Sequence, residues 1–387
     1  MKQLRIPAVY MRGGTSKGVF FLKDDLPSGP VVREKLLLRV IGSPDRYGKQ
    51  TDGMGGATSS TSKIVILSKS ERPDCDVDYL FGQVAIAKPV IDWSGNCGNL
   101  STAVGPFAIE QGLVGAPADG TAVVRIWQAN IRKRIISHVP MKDGAVQELG
   151  DFALDGVAFP AAEVRLEFLD PADDEDEGGG GGAMFPTGHR IDRLDVPGLG
   201  AIEATMINAG NPTVFVDAAR LGLTGTELQK DINGDPKILA LAEAVRSHGA
   251  VAMGLVKTAQ EATETRQATP KIAFVARPAA YTASDGKAVT AESIDLLAHL
   301  FDGRAAPRHD RHRRGGDRRG GGDSRHDRQP SRAGRRRWPG AVRPSVGRAE
   351  RRRRGARGGG PVGGQEGDDE PLGTAADGRL GARAGLS

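Results

Sequence analysis

At Phe301 the basic residues of this chain change identity. From there to Ser387 all 22 of them are arginine, interspersed with glycine, proline and 11 acidic residues. So charged and glycine-rich a segment buries too little apolar surface to offset the entropy lost on ordering it. Any fold must therefore be built by residues 1–300. The whole chain holds 53 basic and 48 acidic residues, which leaves 31 and 37 for residues 1–300. The formal charge of +5 is thus a tail of +11 on a folded part of −6.

Residues 1–300 are long enough for two domains, each with its own core. Four β-rich runs of apolar and β-branched residues stand out: VYMRGGTSKGVFFL, SKIVILSKS, VDYLFGQVAIA and TPKIAFVAR. LSTAVGPFAIEQGLVG and TGTELQKDINGDPKILALAEAVRSHGAV carry apolar residues three and four apart and predict helices. Strands outnumber helices, so an α+β fold is expected. Between these blocks, Asp170 to His189 reads DPADDEDEGGGGGAMFPTGH, an acidic run and five glycines that cannot bury a core. It predicts a flexible loop at a domain boundary and divides the chain into residues 1–182, 183–300 and the tail 301–387. The run lacks the order and closing Glu of a calcium loop, so no metal site is expected at Asp173, Asp174 and Asp176.

The sequence contains no 18-residue apolar run, and MKQLRIPAVY lacks the apolar core of a signal peptide. A cytoplasmic protein with no membrane association is expected. Cys75 and Cys97 are too few for a disulfide framework and match no metal-ligand spacing.

Cys97 lies in SGNCGNLSTAVG, between small residues at the head of a predicted helix. Backbone N–H groups and the positive helix end would favour its thiolate there, and the same amides would hold an anionic substrate. A small buried hydrophobe is the alternative reading. Cys75, in RPDCDVD, has no such setting and is assigned no role. DGMGGATSSTSKIVIL is a glycine-rich, hydroxyl-rich loop ending in Lys63 at the head of a strand. MRGGTSKGVFF repeats the idea with Gly13, Gly14, Thr15, Ser16 and Lys17. Neither has Walker spacing. Glycines admit close approach, while hydroxyls and ammonium groups suit carboxylates, so the loops point to a pocket for a small polycarboxylate. A solvated lysine at a strand end is the alternative for Lys63.

Taken together, MRGGTSKGVFF, DGMGGATSSTSK, VDYLFGQV, DWSGNCGNLSTAVGPFAI, GGAMFPTG and ATMINAGNPTVFV resemble the PrpF family of 2-methylaconitate cis-trans isomerases, which serve propionate breakdown by the methylcitrate cycle. The resemblance runs from about residue 4 to 300. It implies two similar domains like those of diaminopimelate epimerase, each a curved sheet around a central helix, with the active site in the cleft between them. It implies no metal and no organic cofactor, and a small unsaturated tricarboxylate as substrate. The family's acid/base pair falls on Lys63 and Cys97. Candidates for holding carboxylates are Thr15, Ser16, Lys17, Ser62, Asn96, Gly98 and Asn99, with Asn208 and Asn211 from the second domain. A tautomerase acting on 4-oxalomesaconate is the neighbouring enzymatic reading. A homo-oligomer is compatible with either.

The tail admits two readings. As written it is a disordered Arg/Gly-rich arm that would bind nucleic acid or other polyanions by counterion release, with a scaffold or accessory role for the folded part. The all-arginine composition argues against that. Reverse-translated with GC-rich codons and shifted by one nucleotide, the stretch from Phe301 gives a segment containing MTGTAAVAI, and the stretch from Arg343 gives one beginning GHPSG; both are segments that PrpF-like proteins carry. The expectation from this second reading is a one-nucleotide shift near Leu300, with the second domain incomplete in the chain as written.

Overall fold

The computed structural model describes residues 4–169, 184–284, 286–301 and 379–386. The acidic run and most of the tail, including Asp173, Asp174 and Asp176, lie outside the described residues.

In the first half of the chain, strand β1 (Leu4–Gly13) turns into β2 (Ser16–Leu22), followed by helix α1 (Pro30–Ile41). Strands β3 (Lys63–Lys69), β4 (Val77–Val84) and the short β5 (Ile91–Asp92) lead to helix α2 (Gly98–Glu110). Strands β6 (Gly120–Gln128), β7 (Lys133–Lys142), β8 (Ala145–Val146) and β9 (Arg165–Phe168) complete this half. Together they form one sheet in the order β1-β2-β3-β4-β6-β7-β8, with β5 on β4 and β9 on β7; β2/β3 and β4/β6 are parallel.

The runs SKGVFFL and KIVILSK are apolar without alternation because the sheet is covered on both faces here. Phe20, Val65 and Leu67 pack in one cluster with Leu100, Val104 and Phe107 of α2. Val19, Phe21, Ile64 and Ile66 pack in a second with Leu37 and Ile41 of α1. Strand β6, by contrast, alternates: Ala122, Val124 and Ile126 are buried while Val123 is exposed. Helix α2 is buried along nine of its 13 residues, as a helix apolar all round must be. Close approach to β7 requires Gly105, since a Cβ there would sit 2.6 Å from Ser137 Oγ and 2.7 Å from Val139 Cγ2.

Beyond the acidic run, strands β10 (Asp192–Val196), β11 (Gly200–Ala209) and β12 (Asn211–Asp217) precede α3 (Gln229–Asn233), α4 (Pro236–Ala252) and α5 (Ala259–Thr265). Strand β13 (Lys271–Ala276), the hairpin β14 (Tyr281–Thr282) and β15 (Ala288–Val289), and β16 (Leu297–Phe301) follow. The second sheet runs β10-β11-β12-β13-β16, with β12 and β13 parallel. Its core lies beneath α4, where Met206, Val214, Val216, Ile272 and Phe274 meet Leu239, Ala242 and Val245.

The architecture is α+β, with a curved sheet around a central buried helix in the first half. Three elements differ from the sequence reading. The segment from Thr224 to Val251 forms two helices rather than one, because Asp235 caps a new start by accepting hydrogen bonds from the N–H groups of Lys237 (2.8 Å) and Ile238 (3.3 Å), with Pro236 at the first position. Helix α1, absent from that reading, begins at Pro30 and ends at Gly42 in the left-handed region. The tail is not free of regular structure throughout: β17 (Arg379–Leu386) pairs antiparallel with β1 along its open edge.

Candidate active site

Helix α2 starts at Cys97, which is its N-cap. The Cys97 backbone is extended, and its Sγ accepts a hydrogen bond from the Leu100 N–H at 3.4 Å. A thiol at this position faces the first-turn amides and positive end of the helix. It is 8% exposed.

The β1–β2 turn lies across the first turn of α2. A Cβ at Gly13 would collide with the Asn99 carbonyl, so only glycine allows this approach. The Asn99 carboxamide donates to the hydroxyls of Thr15 (3.0 Å) and Ser16 (3.4 Å). Thr15 is exposed and Ser16 buried. The Lys17 N–H donates to the Ser60 carbonyl (2.9 Å), which ties this turn to the loop entering β3, while its ammonium sits 5.4 Å over the Tyr10 ring. Beneath the turn, a Cβ at Gly18 would meet the Lys63 carbonyl at 2.7 Å and Leu100 Cδ1 at 3.1 Å. The start of β3 and the first turn of α2 therefore flank the same glycine.

Lys63 is the first residue of β3 and is only 7% exposed, which overturns the reading of a solvated strand-end lysine. Its ammonium donates to Gln83 Oε1 at 2.9 Å and lies 5.1 Å over the Phe81 ring. Gln83, opposite it in register, donates from Nε2 to the carbonyls of Ser62 (2.8 Å) and Ser59 (3.2 Å). A neutral amide thus holds the buried ammonium without neutralising it. Sequence reasoning missed Gln83; the available signal was a glutamine near the end of a mostly apolar strand, VDYLFGQV. It also missed Gln50, which is buried, accepts from Ser62 Oγ (2.7 Å) and the Ala57 N–H (2.8 Å), and donates to Ser43 Oγ (2.9 Å).

Tyr79 is fully buried in the same cluster as Cys97, and burial, followed by the charge of Cys97, pushes its phenol well above the usual range. Cys75 is also buried, and desolvation, followed by Asp74, raises its thiol to about 11. It is a structural cysteine, which matches the absence of a motif around it.

The candidate residues do not all share one fate. Thr15, Ser16, Cys97, Gly98 and Asn99 meet at the N-terminus of α2, and Lys63 begins the strand that packs beside its first turn; the Lys17 ammonium instead lies over Tyr10, which packs with the cluster under α1. Ser62 is fully buried, and its hydroxyl donates to Gln50 Oε1. Asn211 bonds the backbone of Asn96: its Oδ1 accepts from the Asn96 N–H (3.0 Å) and its Nδ2 donates to the Asn96 carbonyl (3.1 Å). Asn96 Oδ1 in turn accepts from Ser101 Oγ at 3.3 Å. Asn208 is buried on β11 with its N–H on the Met184 carbonyl, and no hydrogen bond among the described residues joins it to the Cys97 turn. The described residues include no group of three His, Cys, Asp or Glu placed to hold a metal ion, and no helix long and apolar enough to cross a membrane.

Comparison with known proteins bears on the same segments. The family model described as PrpF protein matches residues 3–309. The chain is 63% identical over 307 residues to a 2-methyl-aconitate isomerase of Shewanella oneidensis, covering 77% of this chain and 76% of the relative. It is 64% identical over 307 residues, with the same coverage, to a 2-methyl-aconitate isomerase of Cupriavidus necator. Among solved structures, a methylitaconate-delta-isomerase superposes with a TM-score of 0.59 at 40% identity, covering 78% of this chain and 76% of that one. With its glycine turns, its buried lysine and its cysteine-capped helix placed as described, and matched by the family model over most of its length, this chain belongs to the PrpF family.

Proposed function

We propose that this chain is an isomerase that moves a proton on 2-methylaconitate, with Lys63 and Cys97 as the acid/base pair. The observation that carries the reading is a buried lysine whose ammonium is held by a neutral amide, on a strand whose first residue and the first turn of the Cys97-capped helix both pack against Gly18. The relatives named for this substrate support it at more than 60% identity.

The allylic C–H of the substrate is acidified by conjugation to its carboxylates. One member of the pair removes that proton, leaving a dienolate-like anion whose charge spreads onto a carboxylate. Backbone amides at the α2 N-terminus, together with the cation Lys63, stabilise that charge as it develops. The C–C bond rotates or the double bond shifts, and a proton is returned to carbon, so no net proton is gained or lost. Thr15, Ser16, Gly98 and Asn99 hold the carboxylates at the rim. The reaction uses no metal or organic cofactor.

The test is isomerisation in deuterated water followed by NMR. Solvent deuterium should enter the substrate's allylic position, and Lys63→Ala and Cys97→Ser should each slow entry by at least about a hundredfold, the usual worth of a general acid or base. Deuterium entry unaffected by both variants would refute the assignment. Faster turnover of 4-oxalomesaconate than of 2-methylaconitate in the same panel would move the chain to the tautomerase reading.

A further inference from the structure

The segment Asp92–Asn96, which delivers the chain to Cys97, is fastened to the second half of the molecule at three points. Asp92 Oδ2 accepts from the Ala268 N–H at 2.6 Å. The hydroxyls of Ser94 and Thr269 share a hydrogen bond at 2.8 Å. Asn211 grips both backbone groups of Asn96, one as acceptor and one as donor. A planar carboxamide offers one acceptor and one donor side by side, which is what a peptide N–H and C=O require.

The far ends of these contacts are themselves rigid. Asn211 opens β12, while Ala268 and Thr269 lead into β13, and the two strands are hydrogen-bonded neighbours. Thr269 is fully buried, and its carbonyl accepts from Arg246 of α4 at 3.3 Å. Arg246 is also fully buried and is held by Glu243 on its own helix. A chain of fixed groups therefore runs from the core under α4 to the residue preceding Cys97.

We infer that Asn211 is a positioning residue: by holding the Asn96 backbone it sets the place of the Cys97 thiol from the second half of the molecule, so that helix α2 does not fix it unaided. The inference rests on the reading of Cys97 as a proton-transfer group. Asn211 touches the backbone before the thiol rather than the reacting carbons.

The test uses the full chain and two readouts. In the first, iodoacetamide labelling of Cys97 and Cys75 is followed peptide by peptide by mass spectrometry, without substrate. In Asn211→Ala the Cys97 rate should rise about tenfold, since two backbone hydrogen bonds restraining the turn are lost, with the Cys75 rate unchanged. Asn211→Asp keeps the acceptor and loses the donor, and should fall between. A Cys97 rate within about twofold of the parent, or a Cys75 rate rising in step with it, overturns the inference, because the first means no restraint and the second general loosening. In the second readout, Asn211→Asp should lower kcat about tenfold with KM within about twofold, the pattern of a misplaced reacting group. A raised KM with kcat intact would mean that Asn211 holds substrate directly, and also overturns it. Labelling needs no turnover, so a parent protein that fails to isomerise 2-methylaconitate counts against the proposed function while labelling still decides this inference.

Discussion

The bond between Lys63 and Gln83 makes the most exacting test of the site. Gln83→Leu replaces the amide by an apolar group of similar size and deletes three hydrogen bonds: one from the Lys63 ammonium and two to the Ser62 and Ser59 carbonyls. A bond from a charged donor is worth about 1.5–3 kcal/mol and each neutral one about 1 kcal/mol, so a total loss of about 3.5–5 kcal/mol is expected. Lys63→Met removes the ammonium and keeps the packing against Phe81. In that background Gln83→Leu should cost only about 2 kcal/mol, for the two neutral bonds. The double-mutant cycle, read by urea unfolding of all four proteins, should therefore return a coupling of about 1.5–3 kcal/mol. A coupling below about 0.5 kcal/mol would show that Gln83 does not hold Lys63, and the argument for a buried, neutrally supported ammonium would fail.

Two further outcomes follow from packing and titration. Gly105→Ala should lower stability by up to about 2 kcal/mol in thermal unfolding, because an overpacking cost of about 1–3 kcal/mol against Ser137 and Val139 is set against a helix-propensity gain of about 1 kcal/mol; a rise of about 1 kcal/mol would mean that α2 and β7 are not in the contact described. The Cys75 thiol is raised from 9.0 to about 11, so the folded state keeps a proton that the unfolded state releases. Stability is therefore full below pH 9 and declines as pH rises toward 11, and Cys75→Ala should flatten that decline in melts taken across the range; an equal decline in the variant would refute the assignment to Cys75.

How much of this was legible in the sequence depends on the range of the interaction. The glycine turns, the cysteine before α2 and the strands β2 and β3 are local signals, and each is found where its pattern placed it. A lysine at the end of an apolar run could have been solvated or buried; only the antiparallel register that sets Gln83 opposite Lys63 decides between them, and no local pattern specifies register. Asn211 shows the same limit. A turn-like asparagine near a glycine and a proline reads as a ligand-binding group, yet its amide is spent on a backbone segment 115 residues away in sequence. The hydroxyl that makes Ser62 a candidate donates to Gln50, a residue that no motif singles out.

The two sheets differ in a way that returns to the break at Phe301. In the first sheet, β2 and β3 carry apolar residues on both faces and both are covered, by α2 and by α1. In the second, one face packs under α4. The other carries Phe215, Ala273 and Leu300 in register across β12, β13 and β16, with Ile207 and Val275 beside them. Phe215, Ile207 and Val275 are half-buried and Leu300 is 69% exposed. An apolar row on a sheet face calls for a helix, and among the described residues none covers it. The family match ends at residue 309, close to the break. We propose that the missing cover is the apolar segment containing MTGTAAVAI that a one-nucleotide shift restores. Covering four apolar side chains that are already partly shielded contributes about 1 kcal/mol each, or about 4 kcal/mol in all. The frame-restored gene should therefore give a protein that unfolds at higher urea, binds less of a dye specific for exposed apolar surface, and gains isomerase activity over the 40.7 kDa chain. Equal stability and dye binding in the two proteins would mean that this face needs no such helix, and an intact mass of 40.7 kDa from the native source would show that the tail as written is the one the cell makes.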